Sequence, residues 1–227
     1  NVLHSILQSL DEEHIKQISS SEIDCQLGYS DNIKQYVFSK KKMVQLGFTA
    51  KTYLLYNIPQ HSGVTISFNL IENLLKLYPN NVVGLKDSTG DLESMLKTIK
   101  YFNELAVFCG NGALALHTSK RGGAGAITGD ANITAKLLSF IIHNFKNEKQ
   151  INNFMEIQSL IEKIRNVLAS HEQISLLKAY HSVADNIPNW NNIMPPLKKI
   201  DDPSNNKQVT ALLDLVNQID TLVPSSS

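Results

Sequence analysis

Two short apolar runs, Thr52 to Tyr56 and Asn81 to Leu85, flank a stretch whose apolar residues recur at helical spacing. The first run ends on the phenol of Tyr56, and the second stops at the amine of Lys86. Both runs have the length and the β-branched or aromatic content of buried strands, and Asn57-Ile58-Pro59 punctuates the first. Between them Ser67 can cap a helix carrying Phe68, Ile71, Leu74, Leu75 and Leu77, with Pro79 just beyond its end. A strand-helix-strand unit of roughly 30 residues predicts parallel neighbours about 4.8 Å apart. Tyr56 and Lys86 should then stand side by side.

Downstream the pattern stays regular. Asp91 can cap a helix bearing Leu92, Met95, Leu96, Ile99 and Phe102, and Leu105 to Cys109 reads as a strand ending on Gly110. A helix around Ala113 to Ser119 leads through Gly122 and Gly123, which read as its cap, to a strand from Ala124 to Thr128. From Thr134 the chain is expected to be helical, first through Leu137, Ile141 and Phe145, then 151–168, 174–183 and 209–219. Pro188 and Trp190 mark a loop, and Pro195-Pro196 a stiff extended turn. Upstream of Thr52, residues 1–19 suggest a helix broken near Asp11, Ser19-Ser20-Ser21 a linker, and Asp31 the cap of a helix running toward Leu46-Gly47. Lys40-Lys41-Lys42 reads as a solvated charge run, and Pro224 to Ser227 as a disordered end.

A lysine closing a strand among Val82, Val83 and Leu85 loses water around its ammonium, which favours the neutral amine. A neutral amine attacks carbonyl carbons to form Schiff bases, and a neighbouring phenol can move the proton that step needs. The bland alternative pairs Lys86 with Asp87 or with a helix terminus. A second motif competes: Gly110-Asn111-Gly112-Ala113-Leu114-Ala115 fits the G-x-G-x-x-A form of a dinucleotide fingerprint, with Asp130 near the distance of its acidic partner. His143, His171 and His181 lack metal-ligand spacing, so no metal site is expected.

Composition narrows the classes without choosing among them. The 227 residues are 42% hydrophobic and 19% charged, enough for one large core or two small ones, and 21 basic residues balance 21 acidic ones. No nucleic-acid or anionic-membrane partner follows from that balance. Cys25 and Cys109 lie far apart, with Cys109 in an apolar run where thiols are buried. With no long apolar span and no signal-like N-terminus, the chain reads as cytoplasmic.

Tyr56-Asn57-Ile58-Pro59, Ser62-Gly63 and Val83 to Asp91 (VGLKDSTGD) resemble the second signature of the dihydrodipicolinate synthase and N-acetylneuraminate lyase family. The likeness continues through Phe108-Cys109-Gly110-Asn111-Gly112 and Gly122 to Asn132, reaching Met194-Pro195-Pro196-Leu197. It implies an α/β fold, a TIM (β/α)8 barrel with a C-terminal helical extension, here residues 1–147 and 148–227. It also implies a homo-oligomer, dimer or tetramer, that takes a small-molecule 2-oxo acid and an aldehyde with no cofactor beyond the covalent lysine-pyruvate imine. Lys86 would be the Schiff-base lysine and Tyr56 the proton shuttle, with Ser88, Gly110, Asn111, the main chain at Ile127, and His61 toward the substrate.

Two departures bear on specificity. His61 stands where the synthases carry an arginine for the aldehyde's carboxylate, and Gly112-Ala113 stand where the sialic acid lyases carry an acidic pair. Hydroxyl and amide donors at Ser88, Asn111 and Thr128 favour a small 2-keto-3-deoxy sugar acid aldolase. The alternatives are 4-hydroxy-tetrahydrodipicolinate synthase and a 2-oxo-acid-binding relative without turnover. The family's carboxylate loop has only Gly28-Tyr29-Ser30-Asp31-Asn32 as a weak counterpart. Four βα units before Tyr56 would need about 130 residues, where 55 stand. Either a half barrel is completed by a partner or the sequence omits stretches of a longer chain, and the second is expected, with junctions near Ser19 to Gln26 and Ser39 to Lys51.

Overall fold

The computed structural model describes residues 52–223. The expected helices and linker before Thr52, the Gly28 to Asn32 segment, Cys25, the lysine run and the final residues 224–227 lie outside the described residues. The chain divides into two compact units, one comprising the residues to Phe108 with Gly122–Ala124, the other Cys109–Arg121 with the chain from Gly125 onward.

The first unit is built on β1 (Tyr53–Asn57) and β2 (Val82–Asp87), which pair in parallel with Leu55 opposite Leu85, Tyr56 opposite Lys86 and Asn57 opposite Asp87. A short α1 (Pro59–Ser62) follows β1 and ends on Gly63, whose φ of 72° suits a residue without a Cβ. In α2 (Phe68–Leu77) the Ser67 side chain accepts from the Leu70 amide, and the helix buries Leu70, Ile71 and Leu74. In α3 (Leu92–Tyr101) Asp91 caps Ser94 in the same way, and Met95, Thr98 and Ile99 are buried. The ring of Phe68 meets those of Tyr101 and Phe102 at centroid distances of 5.4 and 5.2 Å, joining the C-terminal end of α3 to the start of α2. Each fully buried aliphatic side chain of this set contributes about 1.5–3 kcal/mol. β3 (Ala106–Cys109) lies next to β2 in the sheet.

Gly84 is where β2 runs closest to its neighbours. A Cβ there would overlap the Leu54 side chain and the Ala106 carbonyl, so the strand needs glycine at that position. Val83, expected inside, is 38% exposed, because alternation along β2 turns it away from Val82 and Gly84.

In the second unit a 3-10 turn (Gly112–Leu114) leads into α4 (Ala115–Ser119), so the helix expected from Ala113 is split. The strand expected over 124–128 is reduced to β4 (Gly125–Ala126). Its flanking residue Ile127 bonds the Cys109 carbonyl at 2.9 Å, while Gly125 has a φ of 142° that interrupts regular strand geometry. Helices α5 (Ala131–Asn144), α6 (Phe154–Ala169), α7 (Gln173–Ala184) and α8 (Lys207–Val216) follow, with a short α9 (Ile219–Leu222). They enclose one core containing Leu137, Ile141, Phe154, Ile161, Leu176 and Val209. Residue 147, the expected end of the barrel part, falls in a 3-10 segment between α5 and α6.

Candidate active site

Parallel pairing in this register sets Tyr56 and Lys86 on one face and turns Asn57 and Asp87 to the other. Lys86 Nζ donates to the Tyr56 hydroxyl at 2.9 Å and lies 4.0 Å from the centre of its ring. Both residues are half-buried, so the pair is reachable while partly screened from water. An amine and a phenol at this distance can exchange a proton without an intervening water.

The opposite face fixes that geometry. Asn57 and Asp87 are 5% and 2% exposed, and Asn57 Nδ2 donates to Asp87 Oδ2 at 3.3 Å. Asp87 Oδ1 also accepts from the Thr89 amide at 2.9 Å and the Thr89 hydroxyl at 2.6 Å, while Asn57 Oδ1 accepts from the Ile66 amide at 3.1 Å. The strand ends are thus tied by side chains beyond their ladder. Ser88 continues the tie, its amide donating to the Asn57 carbonyl at 2.8 Å and its own carbonyl accepting from Gln60 Nε2 at 2.7 Å. His61 sits exposed in the last turn of α1.

Tyr56, Lys86 and Ser88 therefore come together in the first unit. Gly110, Asn111 and Ile127 belong to the second, at the tips of β3 and β4. Asn111 Oδ1 accepts from the Ala113 amide at 3.1 Å, capping the turn that follows. The Cys109 thiol donates to the Asn111 carbonyl at 2.9 Å and is buried, and Ile127 is 39% exposed.

Beside these tips stands Asp130, a carboxylate with no solvent exposure. Thr128 donates its hydroxyl to Asp130 Oδ1, and the other oxygen lies against Gly112 where a Cβ would have to be. That second oxygen is buried, and no side chain among the described residues donates to it. Burial pushes the Asp130 carboxyl above the ordinary carboxylate value, while its own and Gly112's backbone amides and Arg165 pull the other way. Asp130 is spent against Gly112 and does not sit at the end of a second strand to hold a ribose. With a five-residue helix after the glycines, the dinucleotide motif lacks its structural context.

Sequence reasoning gave no supporting role to Asn57, Asp87, Thr89 or Asp130, naming Asp87 only as a possible partner of Lys86 and Asp130 only as the acidic residue of the dinucleotide motif. The first two carried a usable signal, because each follows a predicted reactive residue by one position and so belongs to the opposite face of the same strand. Among the described residues no three His, Cys, Asp or Glu side chains gather as a metal-binding group, and no helix is long and apolar enough to cross a membrane. His143 bonds the Ser139 carbonyl at 2.7 Å, and His181 lies 3.1 Å from Asp185.

Among known proteins the chain is similar to an uncharacterized DapA-like lyase of Chloroflexus aurantiacus, 30% identical over 159 residues, covering 70% of this chain and 50% of the relative. It is 35% identical over 113 residues to the 4-hydroxy-tetrahydrodipicolinate synthase of Pelagibacter ubique, covering 49% of this chain and 36% of that one. The chain thus spans half or less of these curated relatives. Among solved structures it resembles a catalytic lysine mutant of Ruminococcus gnavus sialic acid aldolase, with a TM-score of 0.67, 18% identity, and coverage of 84% of this chain and 64% of that one. It also resembles dihydrodipicolinate synthase from Agrobacterium tumefaciens, with a TM-score of 0.59, 23% identity, and coverage of 79% and 57%. Those likenesses carry the fold, the α/β barrel with C-terminal helices. Residues 38–215 match the Dihydrodipicolinate synthetase family, more than half of the chain, and the protein belongs to that family.

Proposed function

We propose that the protein is a class I lyase of the aldolase type, in which Lys86 forms a Schiff base with pyruvate and Tyr56 moves the protons. The observation that carries this reading is the 2.9 Å contact between the Lys86 amine and the Tyr56 hydroxyl. Neutral Lys86 Nζ attacks the C2 carbonyl carbon, and the carbinolamine loses water as Tyr56 supplies the proton. In the cleavage direction the resulting iminium accepts the electron pair of the C3–C4 bond. The C4 hydroxyl gives up its proton, an aldehyde leaves, and the remaining enamine is protonated at C3. Hydrolysis of the imine then releases pyruvate and the free amine. The reverse sequence condenses pyruvate with an aldehyde, and no dissociable cofactor takes part.

The aldehyde partner is proposed to be a short hydroxylated one, which makes the substrate a small 2-keto-3-deoxy sugar acid. His61 supports this over a carboxylate-bearing aldehyde, because an imidazole ring lacks the paired N–H fork of an arginine. Ser88, Gly110, Asn111 and the main chain at Ile127 are the further residues that the family resemblance assigns to the substrate. A second reading, 4-hydroxy-tetrahydrodipicolinate synthesis from pyruvate and aspartate semialdehyde, is favoured by the name of the Pelagibacter ubique relative. The assembly is proposed to be a homo-oligomer, dimer or tetramer.

Incubation with pyruvate and borohydride, followed by intact mass measurement, tests the chemistry. The expected result is a reduced pyruvyl adduct on Lys86 that disappears in Lys86→Ala. An unmodified protein would overturn the Schiff-base reading. Steady-state turnover of glyceraldehyde against aspartate semialdehyde then separates the two substrate readings.

A further inference from the structure

Ser88 lies just past the end of β2, yet its amide donates to the Asn57 carbonyl at 2.8 Å, so the parallel ladder continues beyond the Asn57 and Asp87 rung. In such a ladder a residue that gives its N–H to one carbonyl takes an N–H back, on its own carbonyl, from the residue two places further along the neighbouring strand. For Ser88 that residue is Pro59, which has no N–H to give.

Gln60 fills the gap, its side-chain Nε2 donating to the Ser88 carbonyl at 2.7 Å. The single turn that carries Gln60 is itself fixed. The amides of His61 and Ser62 both bond the Ile58 carbonyl, at 3.0 and 2.9 Å, and the buried Ser62 hydroxyl lies 3.0 Å from that carbonyl and 2.8 Å from the Val64 carbonyl. Gln60 is exposed, and exposed side chains contribute little to stability. What its amide sets is geometry. Alternation places the Ser88 side chain on the face of Lys86, about 6–7 Å further along the strand, as long as Ser88 stays extended and in register. With both its N–H and its carbonyl bonded to the β1–α1 segment, Ser88 is held in that register.

We infer that Gln60 is a positioning residue: its side-chain amide stands in for the ladder N–H that Pro59 lacks and so holds the Ser88 hydroxyl beside Lys86. The inference rests on the aldolase reading above and deepens it, making Ser88 a contact of the substrate carried on the Lys86 imine. Gln60 does not touch the substrate, and every residue involved belongs to the first unit.

Two readouts on the full chain test it. Amide hydrogen exchange needs no substrate and reads the ladder directly. Gln60→Met keeps the reach of the side chain and loses the donor, so it should speed exchange at the Ser88 amide about fivefold or more, and Gln60→Lys, which supplies an N–H again, should reverse the change. Condensation of pyruvate with glyceraldehyde reads the consequence. Gln60→Met and Ser88→Ala are each expected to lower kcat/KM about fivefold, the worth of one neutral hydrogen bond. The double variant should fall no further than Ser88→Ala, because Gln60 acts through Ser88 alone. Gln60→Lys should stay within about twofold of the parent, and the borohydride-trapped adduct on Lys86 should form in every variant. Unchanged exchange at Ser88 in Gln60→Met overturns the inference. So does a parent-like kcat/KM in either single variant, and so do losses that multiply in the double variant. Absence of a pyruvate adduct on the parent protein is a different result: it overturns the aldolase reading and the role of Ser88 in it, while exchange at Ser88 still decides whether Gln60 closes the ladder.

Discussion

Lys86 donates to Tyr56 across one rung of a parallel ladder, and the next rung, Asn57 to Asp87, is closed on the opposite face by a side-chain hydrogen bond of 3.3 Å. Alternation along the two strands separates chemistry from support. The face that carries the amine and the phenol is half-buried, and the face that ties the strand ends is dry.

Removing the Tyr56 hydroxyl should therefore strike proton transfer and little else. Tyr56→Phe keeps the ring that faces Lys86 and loses the proton relay, with an expected fall in turnover of about 10²- to 10⁴-fold. Borohydride trapping of pyruvate on Lys86 should still occur, more slowly. Equal loss of adduct and turnover in stopped-time trapping would show that the phenol serves instead to place the amine.

Asp87 collects three donors in a site 2% exposed, so deleting it leaves the Asn57 amide and both Thr89 groups without their acceptor. Asp87→Ala is expected to cost about 2–5 kcal/mol in urea unfolding. Asp87→Asn, which retains one acceptor oxygen, should cost less. A loss under about 0.5 kcal/mol for Asp87→Ala would mean that the ladder alone sets the strand ends.

The strand-helix-strand unit was legible because every local signal agreed: Ser67 and Asp91 cap the helices predicted for them, and Tyr56 meets Lys86 at the predicted register. The two expected reactive partners needed only strand period and element order. Less was legible after Cys109, where close packing decides. Nothing in the alternation around Ala124 announces that Gly125 will interrupt the strand, and nothing near Gly112 announces that a carboxylate 18 positions on occupies its Cβ space. Such relationships depend on which loops meet, and hydrophobic periodicity carries no information about that.

Gly112 can be tested through that same contact. Gly112→Ala must push its methyl into the Asp130 carboxylate, which is pinned by Thr128 and by the start of α5, and the expected cost is about 1–3 kcal/mol of unfolding free energy. Truncating the carboxylate makes room, so Asp130→Ala should lessen the penalty of Gly112→Ala. The double-mutant cycle is expected to show a coupling of about 1 kcal/mol or more. Additive effects would place the strain of Gly112→Ala elsewhere, for instance on Leu138, which also borders the position.

Asp130 also gives stability a pH dependence of unusual sign. Most carboxylates that matter to a fold are held by donors and lose their contribution in acid, but here burial dominates and raises the folded-state value above the ordinary 3.8. Below pH 3.8 both the folded and the unfolded chain keep the proton, and Asp130 carries no ionisation penalty. As pH rises past 3.8 the unfolded chain releases its proton first, so unfolding is favoured increasingly until the folded-state value is passed. Beyond that point the penalty is constant, about 1.4 kcal/mol for each pH unit separating the two values. Asp130→Asn removes the titration while preserving the shape of the neutral acid. Urea melts of parent and variant should therefore nearly coincide in acid and diverge upward through the carboxylate range, with the variant the more stable at pH 7. A variant less stable at pH 7 and equal only in acid would mean that the ionised carboxylate is a net support. The Thr128 hydroxyl, the backbone amides and Arg165 would then outweigh desolvation.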